Sequence, residues 1–334
     1  MLKKTIPLSL FFLFLIFTIQ AQHIQTLQQG KRTSIRGLSV VDDSVAWISG
    51  SRGNIAITTN GGKTWAWQLV KGFEKADFRD IEAFSATEAV IMSSGTPALI
   101  LKTTDGGATW QEKYRNTDTT YFLDAMDFDN PKHGLVLGDP IKNKFLLLET
   151  NDGAETWHPF KNQPEAITGE AAFAASGTCL RVNKGEIHIV TGGTVARHLE
   201  IESPFKKWTI YDLPVAHGLS SKGAFSIATG QNWVVAGGNY SKDKITDSVS
   251  CTFNGNVKAY KLSEKGSAGF QSCVEWINKN ALLSTGTPGS NFSIDGGATW
   301  TKIDNISYNV CRKAKKGKLV LLAGDGGKIG VFIP

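Results

Sequence analysis

Two arginines in similar sequence settings are the first residues of this chain that could bind a ligand together. Arg36 lies in SIRGLSV and Arg79 in DFRDIEAF, 24 and 26 residues before Asn60 and Asp105, which mark two copies of a repeated motif. A guanidinium presents a planar fork of N–H donors, so two adjacent arginines suit a carboxylate or a phosphate. The alternative is that each arginine pairs with a local acid such as Asp80.

Alignment of later parts of the chain with these arginines places five residues near the same position: Leu123, Glu170, Lys222, Phe270 and Tyr308. Of these, Glu170 and Tyr308 are the binding candidates. Glu170 lies in GEAAFAASGT, a run of small residues that breaks the pattern, and tight packing explains the alanines without any ligand. The candidate binding surface predicted from the sequence therefore consists of Arg36, Arg79, Glu170 and Tyr308, and we predict no catalytic or metal-binding residue.

The repeated motif combines an acid or its amide, a glycine turn and a closing tryptophan. Its copies are TTNGGKTW (residues 58–65), TTDGGATW (103–110), TNDGAETW (150–157) and SIDGGATW (293–300). Their marks are 45, 47 and 143 residues apart, and the last spacing is close to three times the first two. Two degraded copies, IESPFKKW and CTFNGNVKAY, fill the gap.

We expect each copy to be a hairpin turn. Gly106 and Gly107 can adopt positive φ, Asp105 can accept backbone N–H bonds across the turn, and Trp110 can bury a large apolar surface. A catalytic aspartate would not need equivalent copies, so the role is structural. The residues assigned this role are Asn60, Trp65, Asp105, Trp110, Asp152, Trp157, Asp295 and Trp300.

The unit of about 45 residues predicts the fold. Seven apolar runs, each followed by a turn and another strand-like run, recur along the chain with almost no helical periodicity. Such a pattern is typical of a β-propeller. We predict an all-β, seven-bladed propeller of four-stranded blades, formed as a single domain by residues 22–334.

The last unit lacks an outermost strand of its own. It ends with KIGVFIP, while HIQTLQQ (residues 23–29) precedes the first unit without a partner. We expect residues 23–29 to pair with residues 330–333 and close the ring, because this pairing removes two sheet edges.

The octapeptides resemble the Asp-box (BNR) repeat, and the phrasing before each box resembles the photosystem II stability/assembly factor family. Asn60 in place of aspartate and Ala154 in place of the second glycine depart from the pattern. The resemblance implies a seven-bladed propeller that binds proteins. We therefore predict a non-enzymatic binding and assembly module with a protein partner in the cell envelope.

Asp boxes also occur in sialidases and other glycosidases, so a glycoside hydrolase is the alternative. A sialidase needs three arginines, a tyrosine activated by a glutamate, and an aspartate. The residues available for these roles are Arg36, Arg79, Arg312, Tyr308, Glu275 and Asp80. An inverting glycosidase needs only two carboxylates, for which Asp80 and Asp124 are candidates.

The first residues predict export. Lys3 and Lys4 precede a mostly apolar run over residues 6–19, which is followed by the small residue Ala21. This order is typical of a signal peptide, and the run is short for a membrane span. We predict cleavage near Ala21 and a periplasmic or secreted protein with no stable membrane insertion.

Composition and short motifs limit the classes of partner and cofactor that we expect. The net charge is +6, with one short basic turn at residues 311–318, so we expect no nucleic-acid partner. GDGGKIG has the wrong spacing for a dinucleotide loop, and the four cysteines contain no C-x-x-C pair, so we expect neither cofactor nor metal. A glycan remains a possible ligand, and we expect a monomer.

Overall fold

A computed structural model describes residues 22–334, which form a ring of seven antiparallel sheets. The predicted signal peptide, residues 1–21, lies outside the described residues. Each blade has four strands, so the predicted seven-bladed, all-β propeller is confirmed.

The strands are given from the innermost to the outermost of each blade. Blade 1 has Ile35–Val40, Ala46–Gly50, Asn54–Thr58 and Ala66–Leu69. Blade 2 has Asp77–Ala83, Ala89–Ser94, Ala98–Thr103 and Gln111–Asn116. Blade 3 has Leu123–Phe128, Gly134–Ile141, Lys144–Thr150 and His158–Pro159. Blade 4 has Leu180–Asn183, Glu186–Val190, Arg197–Glu202 and Thr209–Asp212.

Blades 5 to 7 follow the same plan. Blade 5 has Leu219–Ala228, Val234–Asn239, Ser250–Asn254 and Ala259–Leu262, and its sheet is extended by Gly192–Gly193 and Glu170–Ala171. Blade 6 has Cys273–Trp276, Leu282–Gly286, Gly289–Ser293 and Thr301–Asp304. Blade 7 has Val310–Lys313, Val320–Gly324, Lys328–Ile333 and, as its outermost strand, His23–Gln28. A 3-10 helix, Tyr240–Lys242, lies in a turn of blade 5.

The middle strands of the blades explain the continuous apolar runs in the sequence. In blade 2, Ala89–Ser94 and Ala98–Thr103 are buried at every residue. Both faces of such a strand are covered, because each blade packs against its two neighbours. The outermost strand Gln111–Asn116 is largely solvated and polar instead. The hydrophobic core is therefore a series of apolar clusters around the ring.

The closing strand pairs as the sequence predicted. His23 lies opposite Ile333, Ile24 opposite Phe332 and Thr26 opposite Gly330. Ile24 is buried in the core between the blades. The pairing completes blade 7 and removes two sheet edges.

The ring has two faces that differ in what they carry. The arginine face is where the innermost strands begin, and it carries Arg36 and Arg79. The Asp-box face is where the innermost strands end, because each box turn is bonded to the turn that follows an innermost strand. The amide of Gly61, for example, donates to the carbonyl of Ser44, and that of Gly106 to the carbonyl of Thr87.

Candidate functional site

The Asp-box turns are held by a fixed set of hydrogen bonds. The Thr103 hydroxyl donates to Asp105 Oδ1 at 2.8 Å, and the Thr109 hydroxyl and amide donate to the same carboxylate at 2.6 and 2.9 Å. The bonds from Thr109 lower the pKa of Asp105 to about 2. Asp152 and Asp295 make the same contacts, and Asn60 accepts from the Thr64 amide in the first box.

The boxes also fix each blade against the preceding one. Trp110 packs edge-on against Trp47 of blade 1, with ring centroids 6.4 Å apart. Gly107 has a φ of 84°, and a Cβ there would lie 3.1 Å from Ile55 of blade 1 and 2.9 Å from the amide oxygen of Gln68. The acid and the aromatic ring of the box are thus engaged within the fold, whereas the buried indole N–H groups of Trp110, Trp157 and Trp300 have no hydrogen-bond partner among the described residues.

Arg36 and Arg79 occupy equivalent β-bulges in the innermost strands of blades 1 and 2. The strand register shifts between Ile35 and Gly37 in blade 1 and between Phe78 and Asp80 in blade 2. A bulge redirects the side chain of the extra residue. In blade 3 the shift falls at Asp124, so the sequence alignment, which gave Leu123, was off by one residue.

The partners of the arginines differ from the expected ones. Arg36 Nη1 donates to the Ser34 hydroxyl at 2.6 Å, and burial together with the nearby charge of Arg79 lowers the pKa of Arg36. Arg79 Nε lies 2.7 Å from Asp77 Oδ2. Asp80, the acid that the sequence suggested, is not the partner of either arginine.

Asp80 is buried and bonded to the backbone. Its carboxylate accepts from the amides of Ile81 at 2.9 Å and Met126 at 2.8 Å, and burial raises its pKa well above the ordinary value. Asp80 therefore ties blade 2 to blade 3 rather than neutralising an arginine.

Glu170 and Tyr308 lie in buried contacts away from the surface. Glu170 accepts from Arg197 at 2.5 and 2.8 Å and from the Thr191 hydroxyl at 2.5 Å. It precedes the innermost strand of blade 4 by ten residues, because the insertion around it disturbs the repeat spacing. Tyr308 is fully buried, and its hydroxyl lies 3.2 Å from that of Thr26 in the closing strand. The structure does not bring either residue to the arginine pair.

The run of small residues in GEAAFAASGT crosses the central channel of the propeller, just beneath the arginine face. We call residues 171–178 the crossing segment. The Ser176 hydroxyl donates to the carbonyl of Ser272 in blade 6 at 2.7 Å, and Phe173 stacks on Phe225 of blade 5 with centroids 3.8 Å apart. A Cβ at Gly177 would lie 2.0 Å from Asp80 Oδ2 of blade 2. At residue 177 even a Cβ would clash with this carboxylate, which explains the glycine there.

Two more acids lie beneath the crossing segment. Asp124 lies near the amide of Ala174 and Asp139 near that of Ala172, and one buried carboxylate oxygen of each acid has no hydrogen-bond partner among the described residues. Burial raises the pKa of Asp124 well above its ordinary value and that of Asp139 to about 6. The suggested glycosidase pair, Asp80 and Asp124, is thus covered by the segment, and neither residue lines the cavity described next.

A cavity of about 770 Å³ opens on the Asp-box face of the channel. Its wall includes polar side chains near the ends of the innermost strands. Five are the penultimate residues of their strands, Ser39, Glu82, Asp127, Glu275 and Arg312, and Arg181 of blade 4 lies one residue earlier in its strand. Similar bonds join neighbouring blades here, since the Ala83 amide donates to Ser39 Oγ at 3.1 Å and the Val182 amide to Asp127 Oδ2 at 2.7 Å. The repeat spacing aligned only the beginnings of these strands, so it did not predict that polar side chains near their ends would surround a cavity.

The charges around the cavity are partly paired. Arg181 Nη2 lies 3.0 Å from Glu275 Oε2, and Arg312 Nη1 lies 3.7 Å from the same oxygen. Lys315 pairs with Glu82. Burial raises the pKa of Glu275 to about 7, although Arg181 opposes the shift, and burial also raises the pKa values of Glu82 and Asp127.

The sialidase residues suggested by the sequence do not converge. Arg312 and Glu275 line the cavity, whereas Arg36 and Arg79 lie at the other face. Tyr308 is buried against the closing strand. Residues 22–334 contain no group of three or more histidine, cysteine or acidic side chains placed to hold a metal, and the four cysteines are free and buried.

The described part of the chain also contains no helix that is long and apolar enough to cross a membrane.

Two comparisons of sequence match this chain to photosystem II assembly factors. A family profile described as photosynthesis system II assembly factor YCF48 matches residues 18–117. The photosystem II assembly lipoprotein Ycf48 of Synechococcus sp. (strain CC9902) is 24% identical over 271 residues, which cover 79% of this chain and 73% of the relative.

Solved structures share the fold at low identity. A structure described as YCF48 bound to D1 peptide has a TM-score of 0.67 and 15% identity, covering 95% of this chain and 98% of its own. YCF48 from Cyanidioschyzon merolae also has a TM-score of 0.67 and 15% identity, with 92% and 98% covered. The GH74 xyloglucanase from Xanthomonas campestris has a TM-score of 0.58 and 12% identity, with 93% and 53% covered.

Proposed function

Because the chain is an Asp-box propeller that resembles the photosystem II assembly factor family, we propose that it is a non-enzymatic assembly module that binds a protein partner. A related propeller whose structure is described as bound to D1 peptide supports a role in binding protein segments. The partner contacts the arginine face through Arg36 and Arg79.

The observation that carries this proposal is the incompletely neutralised charge at Arg36. Its hydrogen bond is to a neutral hydroxyl of Ser34, and no ion pair within 4.0 Å joins Arg36 to another described residue. The nearby Asp325 accepts instead from Ser34 and from Asn309. Arg79 adds a second guanidinium close enough to lower the pKa of Arg36. A carboxylate from a partner would relieve this repulsion and use the free donors.

The location of the partner follows from the predicted export. The order of Lys3, Lys4, the apolar run and Ala21 favours removal of residues 1–21 and release into the periplasm or the medium. A relative named as a lipoprotein is in keeping with function outside the cytoplasm. The partner therefore belongs to the cell envelope.

Affinity capture from an envelope extract tests the proposal. Wild type is compared with the double variant Arg36→Gln, Arg79→Gln and with the control Arg115→Gln, which removes a charge paired to Glu112 on an outermost strand. Wild type and the control should enrich the same protein, identified by mass spectrometry, and the folded double variant should lose it.

Equal enrichment by all three proteins would contradict the role of the arginine face. A parallel assay on aryl glycosides and sialosides addresses the alternative. Release of sugar by wild type would replace the assembly role with a hydrolase.

A further inference from the structure

Arg312 is a mostly buried cation whose hydrogen-bonding capacity is unused. Its guanidinium has five N–H donors, and among residues 22–334 it makes no hydrogen bond. Its ion pair with Glu275 spans 3.7 Å, and Glu275 Oε2 already accepts from Arg181 at 3.0 Å. Buried donors without an acceptor are costly, so the side chain is poised for an acceptor that the fold does not supply.

The space next to Arg312 can hold such an acceptor. The cavity on the Asp-box face is about 770 Å³, within the range of about 300–1,000 Å³ that small-ligand sites occupy. The crossing segment lies between this cavity and the arginine face. A ligand at Arg312 therefore enters from the Asp-box face and is independent of a partner bound at Arg36 and Arg79.

The charge around the cavity limits the charge of the ligand. Its charged lining residues are Arg181, Arg312, Lys313, Lys315 and Lys316 against Glu82, Asp127, Asp129 and Glu275. With every acid ionised the cations exceed the acids by one, so one negative charge is balanced, whereas a dianion would add one more negative charge than these cations balance.

The acids nearest to the site have partners that hold them in place. Glu82 pairs with Lys315, Glu275 with Arg181, and Asp127 accepts the Val182 amide at 2.7 Å. Ser39 and Asn183 add neutral polar groups to the wall. Carboxylate and hydroxyl oxygens in such a wall accept hydrogen bonds from ligand hydroxyls.

We propose that the cavity on the Asp-box face binds a small hydroxylated monocarboxylate, with the ligand carboxylate on Arg312 and its hydroxyls on Glu82, Asp127 and Asn183. A planar carboxylate matches the fork of a guanidinium and receives two parallel N–H bonds. This site goes beyond the proposed assembly function and uses different residues. Glu275 competes with the ligand carboxylate for Arg312, because it forms a weak ion pair with Arg312 when no ligand is bound.

Isothermal titration calorimetry with D-glucuronate tests the site on the protein comprising residues 22–334. D-glucose, which lacks the carboxylate, and inorganic phosphate serve as comparison ligands. Wild type should bind D-glucuronate saturably and both comparison ligands at least 10-fold more weakly. Arg312→Gln should lose roughly 10- to 100-fold in affinity, the range expected for charge-assisted hydrogen bonds.

Two further variants make the result specific. Glu275→Gln keeps the shape of the side chain and removes the competitor, so it should bind D-glucuronate about fivefold more tightly. Arg115→Gln, on an outermost strand, should bind as wild type does.

Three results would each overturn the proposal: no saturable binding of D-glucuronate to wild type, equal affinity for phosphate, or unchanged affinity in Arg312→Gln. If Arg312→Gln fails to fold, Glu275→Gln still decides the matter, since weaker or unchanged binding there would exclude competition for Arg312.

Discussion

The rim of this propeller, where the Asp boxes lie, and its central channel differ in whether their charged groups are satisfied by hydrogen bonds within the fold. At the rim, each Asp box satisfies its acid with threonine donors, and the pKa of Asp105 falls to about 2. In the channel, Glu275 is buried with a pKa raised to about 7, and Arg312 makes no hydrogen bond within the described chain. The box acids at the rim stabilise the fold, whereas Arg312 in the channel has hydrogen-bonding capacity that the described chain does not use.

Removal of the closing strand is the change at the rim with the largest expected effect. Deleting residues 23–29 removes the strand that pairs with the outer edge of Lys328–Ile333 and uncovers the cluster into which Ile24 packs. The free energy of unfolding should fall by more than about 3 kcal/mol, and the melting temperature by more than about 5 °C. Calorimetry measures both, and an unchanged melting curve would contradict the role of the strand.

The crossing segment gives the largest effect within the channel. Gly177→Ala places a Cβ 2.0 Å from the buried Asp80 carboxylate and also strains a residue whose φ is 70°. We expect a loss of about 3 kcal/mol in urea denaturation.

Gly326→Ala is the matched control, since Gly326 has a φ of 72° and no atom within 4 Å of its Cβ position. It should cost only about 1 kcal/mol, the backbone part of the penalty. Equal losses in the two variants would show that the segment tolerates a larger side chain at Gly177.

Glu275 predicts how stability depends on pH. Its folded pKa of about 7 exceeds the ordinary 4.5, so the folded state binds this proton more tightly than the unfolded state does. The resulting stabilisation is complete below pH 4.5 and disappears as the pH rises through 7. Relative to Glu275→Gln, wild type should therefore lose about 2–3 kcal/mol of stability between pH 4.5 and 8.

Denaturation of both proteins at several pH values checks this difference. Asp80, Asp124 and Asp139 also have raised pKa values and contribute with the same sign in both proteins. Identical pH profiles would show that Glu275 keeps an ordinary pKa.

A single Asp box should have the smallest effect. Asp105→Ala removes the acceptor of the Thr109 hydroxyl and amide on the solvated rim, where water replaces part of what is lost. The melting temperature should fall by about 2 °C. Asp105→Asn should be nearly neutral, because Asn60 already performs this task in the first box. A fall as large as that caused by deleting the closing strand would contradict this ranking.

The architecture could be predicted from the sequence because the same structural unit repeats along the chain. The spacing of Asp105 and Asp152 set the size of a blade, and the missing outermost strand of blade 7 identified residues 23–29 as its replacement. These features depend on turn chemistry and edge pairing, which act over a few residues and repeat in every blade.

The candidate site was harder to predict because it depends on breaks in the repeat. Residues inserted before Leu180–Asn183 shifted the alignment, so Glu170 was placed on an innermost strand to which it does not belong. Bulges moved the equivalent position in blade 3 from Leu123 to Asp124. The ionic partners of Arg79 and Arg181 come from geometry that spacing alone does not encode.

The crossing segment changes how the ring comes apart. In a propeller, each blade contacts only its two neighbours, so unfolding can spread blade by blade from the closing strand. The crossing segment adds a connection across the channel, because it contacts both Asp80 of blade 2 and Ser272 of blade 6. Opening the ring at the closing strand leaves this contact in place, so we expect blades 2 to 6 to unfold as one cooperative unit and local fraying to be confined to blades 1 and 7.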